Sequence, residues 1–215
     1  MKRTLFLFML PVIILCYSCN KDSDTKLTGD QSPMGEVGAT VSSSSAEIAG
    51  VSGFSATVTS LEGGVSKYTA TATVTNPLLK NMASNYPGVE INGDQVTVTD
   101  VEILQTKEGI KSMKGPGAGI LVKYDSKVGD TYPIEGSDKE RKVVSKSTTD
   151  DYSYGFYLIK TIQVEMDQSH VAGAGITKYT YIANHKFGLV GVKVDFDDGT
   201  SSTFPIYNST YNSDE

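Results

Sequence analysis

The sequence predicts a mainly β protein: a single antiparallel curved sheet, half-barrel or sandwich-like, with one short helix near residues 77–86. Three observations lead there. Runs such as Thr69 to Thr75 and Gln95 to Ile103 alternate with period two and favour β-branched residues, the pattern of half-buried strands. Turn-forming clusters separate these runs at Glu62-Gly63-Gly64, Asn92-Gly93-Asp94, Glu135-Gly136-Ser137-Asp138 and Asp197-Asp198-Gly199. Helical spacing occurs in one segment of the body, and no repeat of fixed period points to a propeller or solenoid.

The first element along the chain is a leader. Lys2 and Arg3 precede an apolar run from Leu5 to Leu15, which is the layout of a secretory signal peptide. The run is shorter than the roughly 20 apolar residues that a spanning helix needs, and Pro11 interrupts it. Residues 1–18 are therefore expected to be removed. From Asn20 to about Ser45 the chain is rich in Ser, Gly, Asp and Thr with few large apolar residues, so residues 19–45 are expected to form a flexible tether. Residues 46–215 then form one antiparallel β domain.

Within that domain the expected strands run from Phe54 to Ser60, Thr69 to Thr75, Gln95 to Ile103, Ile120 to Tyr124 and Lys142 to Ser147. They continue from Gly155 to Glu165, Ile176 to Ile182, Leu189 to Phe196 and Ser202 to Tyr207. The helix is signalled by Asn76 as N-cap, Pro77 in the first turn, and Leu78, Met82 and Tyr86 at i, i+4, i+8 beside Leu79. Pro87-Gly88 ends it. Laying this helix across the sheet is the simplest way to bury both apolar faces.

Charge and composition exclude several functions. The 215-residue chain carries 19 basic and 25 acidic side chains, a net charge of −6, and removing Lys2 and Arg3 with the leader leaves 17 basic, near −8. Such a surface does not suit nucleic acid, and it matches an anionic headgroup layer poorly. Both cysteines, Cys16 and Cys19, lie at the leader boundary, so cleavage before Cys19 leaves no pair for an internal disulfide. No zinc-ligand spacing occurs, since His170 and His185 stand alone. Asp195-Phe196-Asp197-Asp198-Gly199 and Thr149-Asp150-Asp151 gather oxygen ligands but lack the closing glutamate of an EF-hand, and the first reads as a hairpin turn. Gly115-Pro116-Gly117-Ala118-Gly119 lacks the Lys-Ser ending of a phosphate loop. No catalytic residue, metal or cofactor is expected.

Two further constellations remain open. Glu102, Asp130, Glu165 and Asp195 are the carboxylates from which an acid-based hydrolase would draw its pair. Tyr152, Tyr154 and Phe156 share one parity and Tyr179 and Tyr181 another. Those aromatics either present a ligand platform, with Tyr152, Tyr154, Tyr179 and Tyr181 as contact residues, or pack across strands to stabilise the sheet.

The leader boundary resembles the lipobox of bacterial lipoproteins, with the small Ser18 directly before Cys19. The following Cys19-Asn20-Lys21-Asp22-Ser23-Asp24 resembles the acidic tag of exported lipoproteins of the Bacteroides and Flavobacterium group. In the body, Val122 to Tyr132 and Ala183 to Val190 resemble strand segments of β-rich lipoproteins of that group. The resemblance implies cleavage between Ser18 and Cys19, lipidation of Cys19, and an outer-membrane, lipid-anchored protein facing the cell exterior. It also implies a curved sheet able to hold an apolar ligand. The expected function is a non-enzymatic binding module for an extracellular glycan, peptide, lipid or protein partner, with the membrane as partner through the N-terminal lipid. The alternatives are the acid-based hydrolase and a structural assembly subunit that uses Ser202 to Tyr207 as an open edge.

Overall fold

A computed structural model describes residues 26–43, 47–84, 86–115, 117–167 and 176–210. The expected leader, the Ser18-Cys19 cleavage and lipidation site, and His170 lie outside the described residues. Those residues contain sixteen strands, every pairing antiparallel, and a single α-helix. One sheet is built from β1 (Thr40–Ser42), β2 (Val51–Glu62), β3 (Val65–Val74), β4 (Val89–Asn92), β5 (Gln95–Thr106), β6 (Gly109–Ser112) and β7 (Gly119–Lys123). A second contains β8 (Thr131–Pro133), β9 (Glu140–Lys146), β12 (Ile162–Asp167), β13 (Ile176–Asn184), β14 (Gly188–Phe196) and β15 (Ser201–Pro205). Between β9 and β12 a separate hairpin, β10 (Tyr152–Tyr154) and β11 (Tyr157–Ile159), packs on the second sheet; β16 (Tyr207–Ser209) returns to the first sheet beside β1.

The first sheet curls because its register is repeatedly broken. Bulges lie in β2 between Ser52 and Ser55 and between Val58 and Ser60, and where β3 meets β5 between Tyr68 and Ala70. Each extra residue bends its strand and tightens the local twist. Helix α1 (Pro77–Ser84) starts as its sequence predicts: the Asn76 side chain accepts the Leu79 N–H at 3.3 Å, and its carbonyl accepts the Lys80 N–H. Leu79 and Ala83 pack on Ala72, Val74 and Val96 of the curled sheet.

The two sheets meet along both margins. On one, the chain leaves the second sheet at Pro205 and enters the first at Tyr207, and the intervening Ile206 N–H bonds the Val190 carbonyl at 3.0 Å. Proline suits that exit because the strand no longer needs its N–H. On the other margin the edge strand β7 faces β8 and β9. The Glu135 N–H reaches the Ala118 carbonyl at 3.0 Å, and Arg141 from β9 donates to the carbonyls of Ile120, at 3.1 Å, and Gly117. Gly119 takes φ +119°, and a Cβ there would come within 2.9 Å of the Pro133 carbonyl, so this approach of the sheets demands glycine. Behind it lies the main core: Ile120 and Val122 of the first sheet against Val143, Ile162, Val164 and Ala183 of the second.

Two expectations require correction. The tether was expected to reach residue 45, yet from Lys26 to Ser43 the chain belongs to the domain. Leu27 and Ala39 are buried, Lys107 N–H and Ser32 N–H tie this segment to β5 and its turn, and β1 is hydrogen-bonded between β2 and β16. A polar segment is held here by backbone pairing rather than by large side chains, which hydrophobic patterning does not register. The run from Gly155 to Glu165 is not one strand. It holds β11 and the start of β12, parted at Lys160-Thr161, where the Ser147 hydroxyl accepts the Thr161 N–H at 2.7 Å.

Arg141 is fully buried. Replacing it with Ala leaves the carbonyls of Ile120 and Gly117 without this donor and empties its volume, which is expected to lower stability by about 2–4 kcal/mol. Urea unfolding followed by circular dichroism measures this. Arg141→Lys should recover only part of the loss, because an ammonium cannot span both carbonyls with a planar fork.

Candidate functional site

The curl of the first sheet leaves a cavity of about 450 Å³ between it, helix α1 and the second sheet. Its wall is built by strand alternation: Phe54 and Ala56 from β2, Tyr68 and Ala70 from β3, and Val98, Val101 and Ile103 from β5. The β5 set depends on a change of parity. Val96 and Val98 face inward on even positions, then Asp100 adopts φ +56° at the bulge, and Val101, Ile103 and Gln105 face inward on odd positions. An unbulged strand would instead turn Asp100 and Glu102 toward the cavity. Ala83 and Tyr86 close one end, while Leu121 of β7 and Leu189 of β14 reach in from the margins. Small side chains at Ala56, Ala70 and Ala83 leave the space open.

No described residue lining this cavity carries a formal charge. Its polar groups are Tyr68, Gln105, Asn208 and Tyr86, and most are already engaged. Tyr86 donates its hydroxyl to the Lys114 carbonyl at 3.2 Å, and the Asn208 side chain donates to the Leu189 carbonyl at 2.7 Å. The Tyr68 oxygen lies 3.1 Å from the Met34 carbonyl and 3.2 Å from Gln105 Oε1. One hydroxyl hydrogen serves only one of these acceptors. Gln105 is 6% exposed, with its Oε1 beside the Tyr68 hydroxyl and its amide nitrogen beside Gly188. A Cβ at Gly188 would fall 2.5 Å from that nitrogen, so the glycine preserves the room it occupies. The result is a mostly apolar, partly open cavity with one amide in its wall.

Burial also sets the proton state of the surrounding tyrosines. Loss of water pushes the Tyr68 and Tyr179 hydroxyls up to about 12, and it raises Tyr124 and Tyr181 as well, the last against the opposing pull of Arg141. These phenols stay neutral at physiological pH. Arg141 shifts the other way: burial lowers its guanidinium while Tyr181, whose ring centre lies 5.8 Å from it, favours the charge.

The structure does not bring the four expected contact tyrosines together. Tyr152 and Tyr154 pack with Ile159, Ile182 and Val190 beneath the β10–β11 hairpin. Tyr179 and Tyr181 occupy alternate positions of β13, on the face opposite Ile182, and Tyr181 packs on the main core. None of the four lines the cavity. Phe156, grouped with Tyr154 by parity, sits instead at the hairpin turn and is exposed. The expected carboxylates also stand apart. Glu102 is paired with Lys114 at 2.6 Å, Glu165 with Lys178 at 3.0 Å and Asp195 with Lys193 at 2.8 Å, while Asp130 accepts the Lys127 N–H at 2.9 Å. Asp198 closes its turn by accepting from Thr200 N–H and hydroxyl at 2.8 and 2.6 Å, which holds its carboxyl below the usual range.

A second depression, about 490 Å³, lies beside the hairpin and includes His185. Its walls mix Asp150, Lys160 and Lys186 with exposed Tyr157 and Leu158, and its described lining contains no Ser, Thr or Cys to act as a nucleophile beside the histidine. Among the described residues no group of three or more His, Cys, Asp and Glu is arranged to hold a metal ion.

Comparison with protein-family models, with curated proteins and with solved structures finds no match to this chain. The site must be read from its own chemistry. Sequence reasoning missed Tyr68, Ala70 and Gln105, although the shift from even to odd apolar positions across Asp100 was a legible sign of the bulge that aims Val101 to Gln105 inward.

Because the folded-state values of Tyr68 and Tyr179 lie above the ordinary phenol value of about 10, the folded protein holds its protons more tightly than the unfolded chain in that interval. Their contribution is complete below pH 10 and is lost as pH rises toward 12. Unfolding free energy should fall by up to about 1.4 kcal/mol per pH unit for each such tyrosine, and Tyr68→Phe should flatten the slope measured by denaturant titration at pH 10 to 12.

Proposed function

We propose that this chain is a lipid-anchored binding protein of the cell envelope whose cavity takes an uncharged, mainly apolar small molecule. The observation that carries the reading is the 450 Å³ cavity, partly open, mostly apolar, free of charge among its described lining residues, and bearing the Gln105 amide in its wall. Burying an ion in such a place is opposed by desolvation without a counter-charge to offset it, so a carboxylate or ammonium ligand is disfavoured. Apolar surface and a single oxygen are favoured: the oxygen would meet the Gln105 amide, and the rest would fill space that water occupies poorly. At about 30 Å³ for each water-sized group, the volume accommodates roughly fifteen non-hydrogen atoms.

The binding assignment is tested with a matched series: dodecanol, dodecanoate and dodecane, each added to the full chain and measured by displacement of a fluorescent apolar probe. Dodecanol should bind best. Ala70→Phe, which fills the chamber, should weaken dodecanol by at least about tenfold, the range expected when an apolar pocket loses its space. Gln105→Leu should bring dodecanol and dodecane closer together while leaving the fold intact. Equal, weak binding of all three to the unaltered chain would remove the assignment.

The envelope location rests on the leader and on Ser18-Cys19. With the signal peptide cleaved there and Cys19 acylated, the protein is expected at the outer membrane, facing the exterior. Cys19→Ser should move it from the membrane fraction to the soluble exported fraction, and loss of labelling by a radioactive fatty acid should accompany the shift. Retention of the label in the Cys19→Ser chain would exclude Cys19 as the anchor.

A further inference from the structure

The β10–β11 hairpin is firmly seated at its root and bare at its tip. Tyr154 and Ile159 are buried against Ile182 and Val190, the Tyr154 ring lies 4.9 Å from that of Phe187, and the Asn208 N–H donates to the Tyr154 hydroxyl oxygen at 3.0 Å. Beyond this root Gly155, at φ +58°, begins a two-residue turn. Three apolar residues follow in succession, Phe156, Tyr157 and Leu158, and they are 104%, 67% and 61% exposed. Register places Tyr157 opposite Tyr154, on the face toward the domain, and Leu158 opposite Ser153, on the face away from it. Phe156 projects from the turn itself. The tip is thus apolar on both faces and at its end.

We propose that this tip inserts into the interfacial layer of a lipid bilayer. A protein surface covers one face of a two-stranded tip and leaves the other in water, whereas a fluid bilayer surrounds the tip on every side. Size points the same way. With an aromatic side chain presenting about 150–250 Å², two aromatics and a leucine offer well below the ~800 Å² per partner of a stable protein interface. Tyrosine at such a tip matches the aromatic preference of the headgroup region, and phenylalanine and leucine supply the apolar surface of an interfacial contact. Lys160 and Lys186 stand in the adjoining depression, exposed and without an ion-pair partner among the described residues, where lipid phosphates would lie; Asp150 is the one carboxylate in that lining. The net charge of −6 opposes general adsorption to an anionic surface, so insertion proceeds through apolar contact and a zwitterionic bilayer is sufficient. This contact is separate from the lipid expected on Cys19 and from the ligand of the cavity.

The chain contains no tryptophan, so Phe156→Trp in the full-length protein provides a sole reporter at the tip. In phosphatidylcholine vesicles its emission should shift to the blue and lose about half its intensity to lipids brominated near the headgroup, the depth at which interfacial aromatics settle. Adding Leu158→Ser to the reporter chain should reduce both effects while the circular dichroism spectrum stays unchanged. Because the signal comes from residue 156 alone, attachment of the chain elsewhere does not produce it. Emission that remains that of a water-exposed indole in the presence of vesicles would overturn the proposal. So would a blue shift that grows with protein concentration in the absence of lipid, which would mean that the tip docks on a second copy.

Discussion

The closure of this fold depends on a buried cation that has no carboxylate partner among the described residues. Arg141 projects from β9 into the seam between the sheets and directs its guanidinium to the carbonyls of Gly117 and Ile120, with the Tyr181 ring alongside and Nε without a partner among the described residues. A guanidinium is suited to this task because its planar array of donors reaches two backbone acceptors at once and stays protonated despite burial. Carbonyls along an edge strand otherwise need water or another strand. By satisfying them from the opposite sheet, Arg141 turns an edge into a joint. Gly119 makes the approach sterically possible, and Val122, Val143 and Val164 fill the core behind it.

With this margin closed and the other held by the passage from β15 to β16, the curled sheet cannot collapse onto its partner. That geometry is why an apolar chamber persists where a simple sandwich would interdigitate its side chains. Leaving the space unfilled carries a stability cost, since the walls forgo contacts that larger residues at Ala56, Ala70 and Ala83 would supply. The bulge at Asp100 keeps two acidic side chains out of the apolar wall and aims Ile103 and Gln105 into it. The hairpin tip follows a different logic: its root packs on the outer face of the second sheet, and its apolar end is mostly exposed. An apolar cavity and an apolar tip are both compatible with the envelope location proposed above.

Much of the architecture was legible locally. The turns at Asn92-Gly93-Asp94 and Asp197-Asp198-Gly199, the capped start of α1 at Asn76-Pro77, and the strand positions of β3 and β5 all read directly from residue type and spacing, whereas strict alternation missed the parity change at Asp100. Less legible was anything decided by pairing over distance. Residues 26–43 look like tether because they hold few large apolar side chains, yet backbone bonds to β2, β5 and β16 bring them into the domain. The aromatic parity of Tyr152, Tyr154 and Phe156 was real, but a turn at Gly155-Phe156 separated the last from the others. Tyr179 and Tyr181 read as a shared face, correctly, without any sign that this face looks into the protein.

By itself the sequence determined the β class, the position of the helix, most turns, the absence of paired cysteines in the body and the expectation of an export leader ending at Cys19. Each is a property of neighbouring residues: period, propensity, charge or motif. Tertiary structure alone decided that there are two main sheets, that Arg141 joins them, and that Tyr68, Ala70 and Gln105 share a chamber with Leu121 and Leu189. Those relations join residues far apart in the chain. They follow from strand register and bulges, and one residue of slip exchanges the inward and outward faces without altering the composition that a sequence displays.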